Sequence, residues 1–446
     1  MKNLAQIIRL QPLLIYVRSS LWFVPALFIV GAIILALSLV EVDRRFGDEM
    51  ILQDWSHQLF ITRPEGARAT LSTIAGSLAT IAGVVFSITI VVLSLASSQY
   101  TSRLLRNFMR DRATQIVLGI LVGGYIYCLL VLRTISGGDD PFVPSLSVML
   151  GVVLAIVAIV FFIYFIHHIS SSIQAAEIAD SITRETLAAI DRLFPSEIGE
   201  EPDSLMAADM LAGAGWYPVP SKEMGYIQSV EPEALLEFAR KHDTVLRMES
   251  AIGNFTASGR ALVSLALHRP PSEDMIRELN SIYAIASYRT VDQDAAFGIR
   301  QLVDVALKAL SPGINDTTTA VTCIEHLGVL LAKLASRSMA APYRLDQKKL
   351  RVIARGPTFD YLLSLSFSQI IENSEGNTEI TLCTLTAIEE VAKMTDNKER
   401  LGALRAQVDI IVEVASRSSK SSAARRLIEN KLEEVYLALR PENRVT

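Results

Sequence analysis

Cysteine is nearly missing from this chain: Cys128, Cys323 and Cys383 are all it carries in 446 residues. Three scattered thiols supply neither a disulfide framework nor the paired Cys/His spacing of a zinc site, and they suit a reducing compartment. A cationic excess is missing too. With 42 Lys and Arg against 47 Asp and Glu, the net charge is −5. That excludes the clustered positive face with which a nucleic-acid binder meets phosphates. No Gly-rich phosphate loop, nucleophile elbow or pair of intramembrane carboxylates occurs, so the chain is read as a non-enzyme with no metal and no cofactor.

Charge is also absent, apart from the ends, from four long apolar stretches at about residues 21–40, 71–97, 115–133 and 145–167. Each has roughly the 20 residues a helix needs to cross the hydrocarbon core of a bilayer. The first is too long for a signal-peptide core and no convincing cleavage site follows it. Proton-coupled carriers place ionisable groups inside their spans, so their absence argues for a passive role. Trp22 at one end and Tyr164, His167 and His168 at the other suit the membrane interface.

Orientation follows from the cations of the flanking segments. Lys2, Arg9 and Arg18 precede the first span, and Arg103, Arg106, Arg110 and Arg112 lie between the second and third. Asp139 and Asp140, with no Lys or Arg, lie between the third and fourth, which places that loop outside and both termini in the cytoplasm. Arg44, Arg45, Arg63 and Arg68 in the first loop reduce the bias. Residues 1–20 read either as an interfacial segment or as turns leading into the first span. MILQDWSHQLF has the spacing of a short helix lying on the membrane or on neighbouring spans.

Beyond residue 168 the composition becomes that of a soluble protein. Residues 169–199 read as a connecting helix, SSSIQAAEIADSITRETLAAIDRLF, continuous with the fourth span and followed by the acidic linker EIGEEPDSL. Residues 200–446 read as a cytoplasmic α+β domain. Strand-like runs are WYPVPS, GYIQSV, TVLRM, RALVSLAL and LRVIARG, and PEALLEFARKHD is a helix with Pro232 in its first turn. Further helices are expected at about 271–287, 293–310, 317–337, 358–395, 397–418 and 420–439. The fold class is thus an α-helical membrane protein with four transmembrane helices over residues 21–168 and a C-terminal α+β, helix-dominated soluble domain.

The turn SPGINDTTTA, residues 311–320, sits between two of these helices. Ser311, Pro312 and Gly313 end the first, and Asn315 or Asp316 can cap the second. It reads as a helix corner or as a polar ligand pocket at a helix N-terminus. DAAFGIRQLVDVALKALSPGINDTTTA (294–320) and ATLSTIAGSLATIAGVVFSITIVVLSLASSQYTSRLL (69–105) together resemble the bacterial membrane proteins grouped as domain of unknown function 2254. The family pattern usually has Pro where Thr317 stands. The resemblance implies a multispanning inner-membrane protein with a C-terminal soluble domain and supplies no activity. SAIGNFTASGRALVSL (250–265) is similar to the hairpin of lipoyl- and biotinyl-type barrels, but no Lys stands in its turn and cofactor attachment does not follow. Cys323 and His326 share a helix face without a second metal-ligating pair.

The second span carries a stripe of hydroxyls. Thr70, Thr73, Ser77, Thr80, Ser87, Ser94 and Ser98 recur at alternating steps of three and four, with Val84 and Val91 in the same series and Gly76 and Gly83 beside it. Small and hydroxylated residues permit tight helix packing in lipid. The same face can instead line a water-filled pore, with the two valines as apolar constrictions. Two functions stay open on these grounds. One is an oligomeric inner-membrane protein with a passive, channel-like pore for a small ion, assembled or gated by the cytoplasmic domain. The other is a membrane-anchored sensor or scaffold whose soluble domain binds a small-molecule ligand or a protein. The lipid bilayer and further copies of the chain are the expected partners.

Overall fold

The computed structural model describes residues 22–46, 63–99, 111–137, 142–193, 215–337, 343–347, 349–374, 376–418 and 421–440. The segments around residues 1–20, 50–60, 101–110 and 197–205, about which the sequence raises expectations, lie outside them. Two compact units divide the chain, Met1–Gln174 and Ala175–Thr446.

The first unit is built from α1 (Phe23–Phe46), α2 (Pro64–Gln99), α3 (Arg112–Thr134) and α4 (Ser145–Ser172). Helices α2, α3 and α4 each contain one of the apolar stretches and extend beyond it, and α1 begins at Phe23, inside the first, and runs past its end. At 1.5 Å per residue the 36-residue α2 is about 54 Å long, more than the hydrocarbon thickness. Helix α3 is the hub and packs on the other three. The reason is its glycines. A Cβ on Gly119 would lie 2.6 Å from Phe28 of α1, and one on Gly123 would lie 3.2 Å from the Phe28 carbonyl oxygen. GILVG is thus a small-xxx-small contact that lets α1 approach closely. Leu78 of α2 sits over Gly124 in the same way, and Leu71 over Gly151 of α4.

Polar groups fasten both ends of this unit. At one end Asp43, only 6% exposed, accepts from the Leu146 and Ser147 amides at 3.0 Å each and from Ser147 Oγ at 2.6 Å. It thereby caps α4 from α1, and Tyr127 of α3 donates to the Ser147 carbonyl at 2.9 Å. At the other end Asp111 caps α3, accepting from the Ala113 and Thr114 amides. Its carboxylate also meets His168 Nε2 of α4 at 3.0 Å, and the His168 ring stacks on Tyr164. Caps supplied across helices satisfy backbone donors that the helix itself leaves free.

A continuous helix from the fourth span to Leu193 does not occur. Helix α4 stops at Ser172, and α5 (Ala175–Leu193) begins after a break at Ile173 and Gln174. Ser170, Ser171 and Ser172 each donate a hydroxyl to a carbonyl of the preceding turn, and the Gln174 amide bonds only three residues back, to Ser171. Such competing hydroxyls and a tightened last turn end a helix.

The second unit is mixed α and β. Its strands are β1 (Gly215–Pro220), β2 (Gly225–Val230), β3 (Leu246–Met248), β4 (Phe255–Thr256), β5 (Ala261–Leu267), β6 (Tyr283–Ala286), β7 (Tyr343–Asp346) and β8 (Lys349–Ile353). They form one sheet in the order β1-β5-β3-β8-β7 and a second in the order β4-β2-β6. Neighbours are antiparallel except β3 and β8. Helices α6 (Pro232–Lys241) and α7 (Glu273–Ile282) share a core with these strands around Phe238, Leu246, Val263 and Leu265. Gly253 and Gly259 take the left-handed conformation at the turns of this region.

The remaining helices are α8 (Ala295–Ala309), α9 (Thr317–Ala335), α10 (Phe359–Glu372), α11 (Thr378–Lys393), α12 (Lys398–Ser418) and α13 (Ser422–Ala438). Two expectations are corrected here. The helix expected over 271–287 ends at Ile282, because Tyr283 turns extended and its strand pairs with β2. The long helix expected over 358–395 is two helices. They part at the left-handed Gly376, and Asn377 caps the second by accepting from the Glu379 and Ile380 amides.

Among the described residues five helices, not four, are long and apolar enough to cross a membrane: α1 to α4 and α9. Helix α9 is the least hydropathic of them, at 1.3 against 2.2–3.1 for the others. It packs against α5, α8 and α11 inside the second unit and buries Cys323, Ile324, Leu327, Leu330 and Leu331.

Candidate functional site

Helix α2 turns one face to the first unit and leaves the other open. Ala67, Leu71, Ala75, Leu78, Val85, Thr89 and Val92 are buried against neighbouring helices. Thr73, Ser77, Thr80, Val84, Ser87, Val91 and Ser94 are all exposed, with Val84 at 44% and Val91 at 56%. The Ser98 side chain lies outside the described set. Among the described residues nothing approaches within 4 Å of where a Cβ on Gly76 or Gly83 would stand. Among the described helices of the first unit, tight packing therefore runs through the glycines of α3, a signal present in GILVG, and not through those of α2.

The hydroxyls of this open face bond back to their own helix. Thr70, Thr73, Ser77 and Thr80 donate to the carbonyls of Gly66, Ala69, Thr73 and Gly76, at 2.9, 2.8, 2.8 and 2.9 Å. A hydroxyl has one proton and two lone pairs. Once the proton is committed to the backbone, the oxygen presents acceptor capacity outward. The second half of this face also exposes Phe86, Ile90 and Leu95 beside Val84 and Val91. It is the first half, residues 66–83, from which the exposed faces of α1 and α4 differ. They carry Leu27, Val30, Ile34 and Leu37, and Val153, Ile156, Ile159, Val160 and Ile163, large aliphatic groups that match acyl chains.

At the turn after α8 the structure shows a helix corner. Leu310 is the C-cap of α8, and the amides of Ile314 and Asn315 both bond to the Ser311 carbonyl. The left-handed residue is Asn315, at φ 50°, not Gly313. Asp316 caps α9, with the Thr319 amide at 3.0 Å and the Thr319 hydroxyl at 2.6 Å. These bonds hold its carboxyl below the usual carboxylate range. Thr317 receives a bond from Asn377 Nδ2 at 3.1 Å, tying the corner to the cap of α11. Pro312, Gly313 and Asn315 stay exposed, and the polar atoms of Asp316 are spent on the cap.

Cys323 is fully buried, and burial pushes its thiol up to about 12. His326 Nδ1 lies 2.9 Å from Thr183 Oγ1 of α5, a contact between helices. Among the described residues no group of three or more His, Cys, Asp or Glu side chains is arranged to hold a metal.

A groove of about 830 Å3, with no signal in the sequence, lies between α9 and α11. Its floor is Gly328, Ala332 and Ala387, and its walls include Val321, Val329 and Leu382. Glu325, Glu379 and Glu390 stand on it, and Cys383 lines it. Burial first, then the neighbouring Glu325 and Glu379, push the Cys383 thiol up to about 11, so it is a protonated wall group and not a nucleophile. The α11 side of the groove belongs to a helix that the sequence reads as part of one long helix over 358–395.

Comparison with known proteins matches residues 18–390 to the family described as predicted membrane protein, domain of unknown function 2254. An uncharacterized protein of Mycobacterium tuberculosis is 29% identical over 434 residues, covering 94% of this chain and 81% of the relative. An uncharacterized protein of Mycobacterium bovis is 28% identical over the same length and shares. No solved structure matches the chain.

Proposed function

Taking as premise that the chain belongs to this family of predicted membrane proteins, we propose that it is an oligomeric inner-membrane protein whose α2 helices meet around a common axis and line a narrow passive pathway. Helices α1 to α4 are its four spans, both termini are cytoplasmic, and α9 belongs to the cytoplasmic domain that assembles or gates the pathway. Catalysis is not part of this reading.

The observation that supports it is the contrast between open faces. Large aliphatic side chains cover those of α1 and α4, while the first half of α2 offers Thr73, Ser77 and Thr80 with Gly76 and Gly83 beside them; Ser87 and Ser94 follow among the exposed Phe86, Ile90 and Leu95. Lipid tails gain nothing from hydroxyls and small residues, whereas another helix or a water column does. The outward acceptor oxygens favour a small cation or water over an anion. Val84 and Val91 would form apolar constrictions one heptad apart.

Flux of monovalent cations into liposomes, measured for the native chain and for a variant with Ser77→Leu, Thr80→Leu and Ser87→Leu, tests this. Flux in the native assembly, lost in the variant while the oligomer persists, is the expected result. No flux from a correctly assembled native protein would sink the pathway. A second reading, a membrane-anchored scaffold, rests on the groove between α9 and α11.

A further inference from the structure

We propose that the groove between α9 and α11 docks an amphipathic helix of a protein partner that carries Lys or Arg along its edges. This gives the scaffold reading its partner class, and it stands whether or not α2 lines a pathway.

The shape supports a helix. The groove face runs from Val321 to Ala332 on α9 and from Thr378 to Glu390 on α11. At 1.5 Å per residue these stretches are about 17 and 18 Å long, three turns of a helix laid between them. The groove is deep because its floor is made of small residues. A Cβ on Gly328 would lie 3.1 Å from the Ala387 Cβ, so α9 and α11 approach closely beneath it. Above this floor Val329 is 52% exposed, a large apolar group at a lip with nothing over it among the described residues. Apolar anchors at i, i+3 or i+4, and i+7 enter such a trough.

The charge specifies the partner's edges. Glu325 on α9 and Glu379 on α11 have no cationic partner among the described residues, and both act on Cys383. Glu379 also complements the N-terminus of α11. Glu390 at the far end holds Lys393 at 2.7 Å. An apolar trough between two free carboxylates attracts apolar anchors flanked by cations. The same charges disfavour the other occupants. A two-fold contact between copies of this face would set Glu325 and Glu379 against like charge, and an anionic lipid headgroup would meet the same repulsion.

The full chain is placed in phosphatidylcholine nanodiscs and titrated with a fluorescein-labelled peptide of about 18 residues, Leu on one face and Lys on its borders. Empty nanodiscs and a Glu-for-Lys peptide are the controls. Saturable binding is expected for the Lys peptide alone, weakened by salt and roughly tenfold or more by the double variant Glu325→Lys, Glu379→Lys and by Val329→Asp. All three positions are exposed, and circular dichroism checks that each variant keeps its fold, Glu379→Lys in particular because Glu379 stands in the first turn of α11. A benzophenone on the peptide should cross-link to α9 or α11. Equal binding to native and charge-reversed chains, or cross-links elsewhere, overturns the proposal. So does dissociation of the native oligomer by Val329→Asp, which assigns the groove to a second copy.

Discussion

Gly298 allows α8 to lie against α5. A Cβ there would meet Thr186 Oγ1 at 1.9 Å and its Cβ at 2.9 Å, and Thr186 is itself pinned by a 2.6 Å bond to the Ile182 carbonyl. Gly298→Ala should therefore destabilise the second unit by about 1–3 kcal/mol. Adding Thr186→Ala should recover part of this, because it removes the oxygen and leaves the 2.9 Å contact. Thermal melts of the two single variants and the double variant check it. At Asp316 the loss is of a cap: Asp316→Ala should cost about 1 kcal/mol. Because the folded carboxyl titrates below its unfolded value, its stabilisation is present above about pH 4 and fades as pH falls through the lower folded value. Asp316→Asn keeps an acceptor for the cap and should lose that part of the acid sensitivity, seen by comparing melts at neutral and acid pH. The capping role of Asp316 was readable from the turn. That Asn315 and not Gly313 takes the left-handed conformation was not, since both tolerate it.

Among the helices, glycine does different work in α2 and α3. Gly119→Val should separate α3 from Phe28 of α1 and lower the melting temperature of the first unit, by roughly 1–3 kcal/mol in stability. Gly83→Val on the open face of α2 should leave that temperature unchanged and alter self-association in detergent, if copies meet there. Mass photometry beside thermal melts separates the two. The length of the apolar runs located helices α1 to α4, and periodicity showed that the hydroxyls share one face. It could not say what that face touches, because Ser and Thr serve packing and hydration equally well. Helix boundaries failed where tertiary pairing overrode local pattern, as at Tyr283, and where a single glycine and an asparagine cap divide an apolar run, at Gly376 and Asn377.

For the whole molecule, the division at Gln174 coincides with the break between α4 and α5, and each unit has its own buried core. A fragment of residues 175–446 should therefore fold without a membrane and melt cooperatively, as read by far-UV circular dichroism. Aggregation of that fragment through α9 would instead show that this helix needs lipid. The sequence by itself determined the four charge-free stretches, the change of composition after them, the hydroxyl stripe and the family resemblance, because these depend on local composition and spacing. Tertiary structure alone decided that the stripe is turned away from the other described helices of the first unit, that α3 and not α2 carries the close glycine contacts among them, and that α9 and α11 enclose an acidic, apolar groove. Those outcomes rest on which faces meet across long stretches of chain, and no periodicity within a single segment encodes its neighbour.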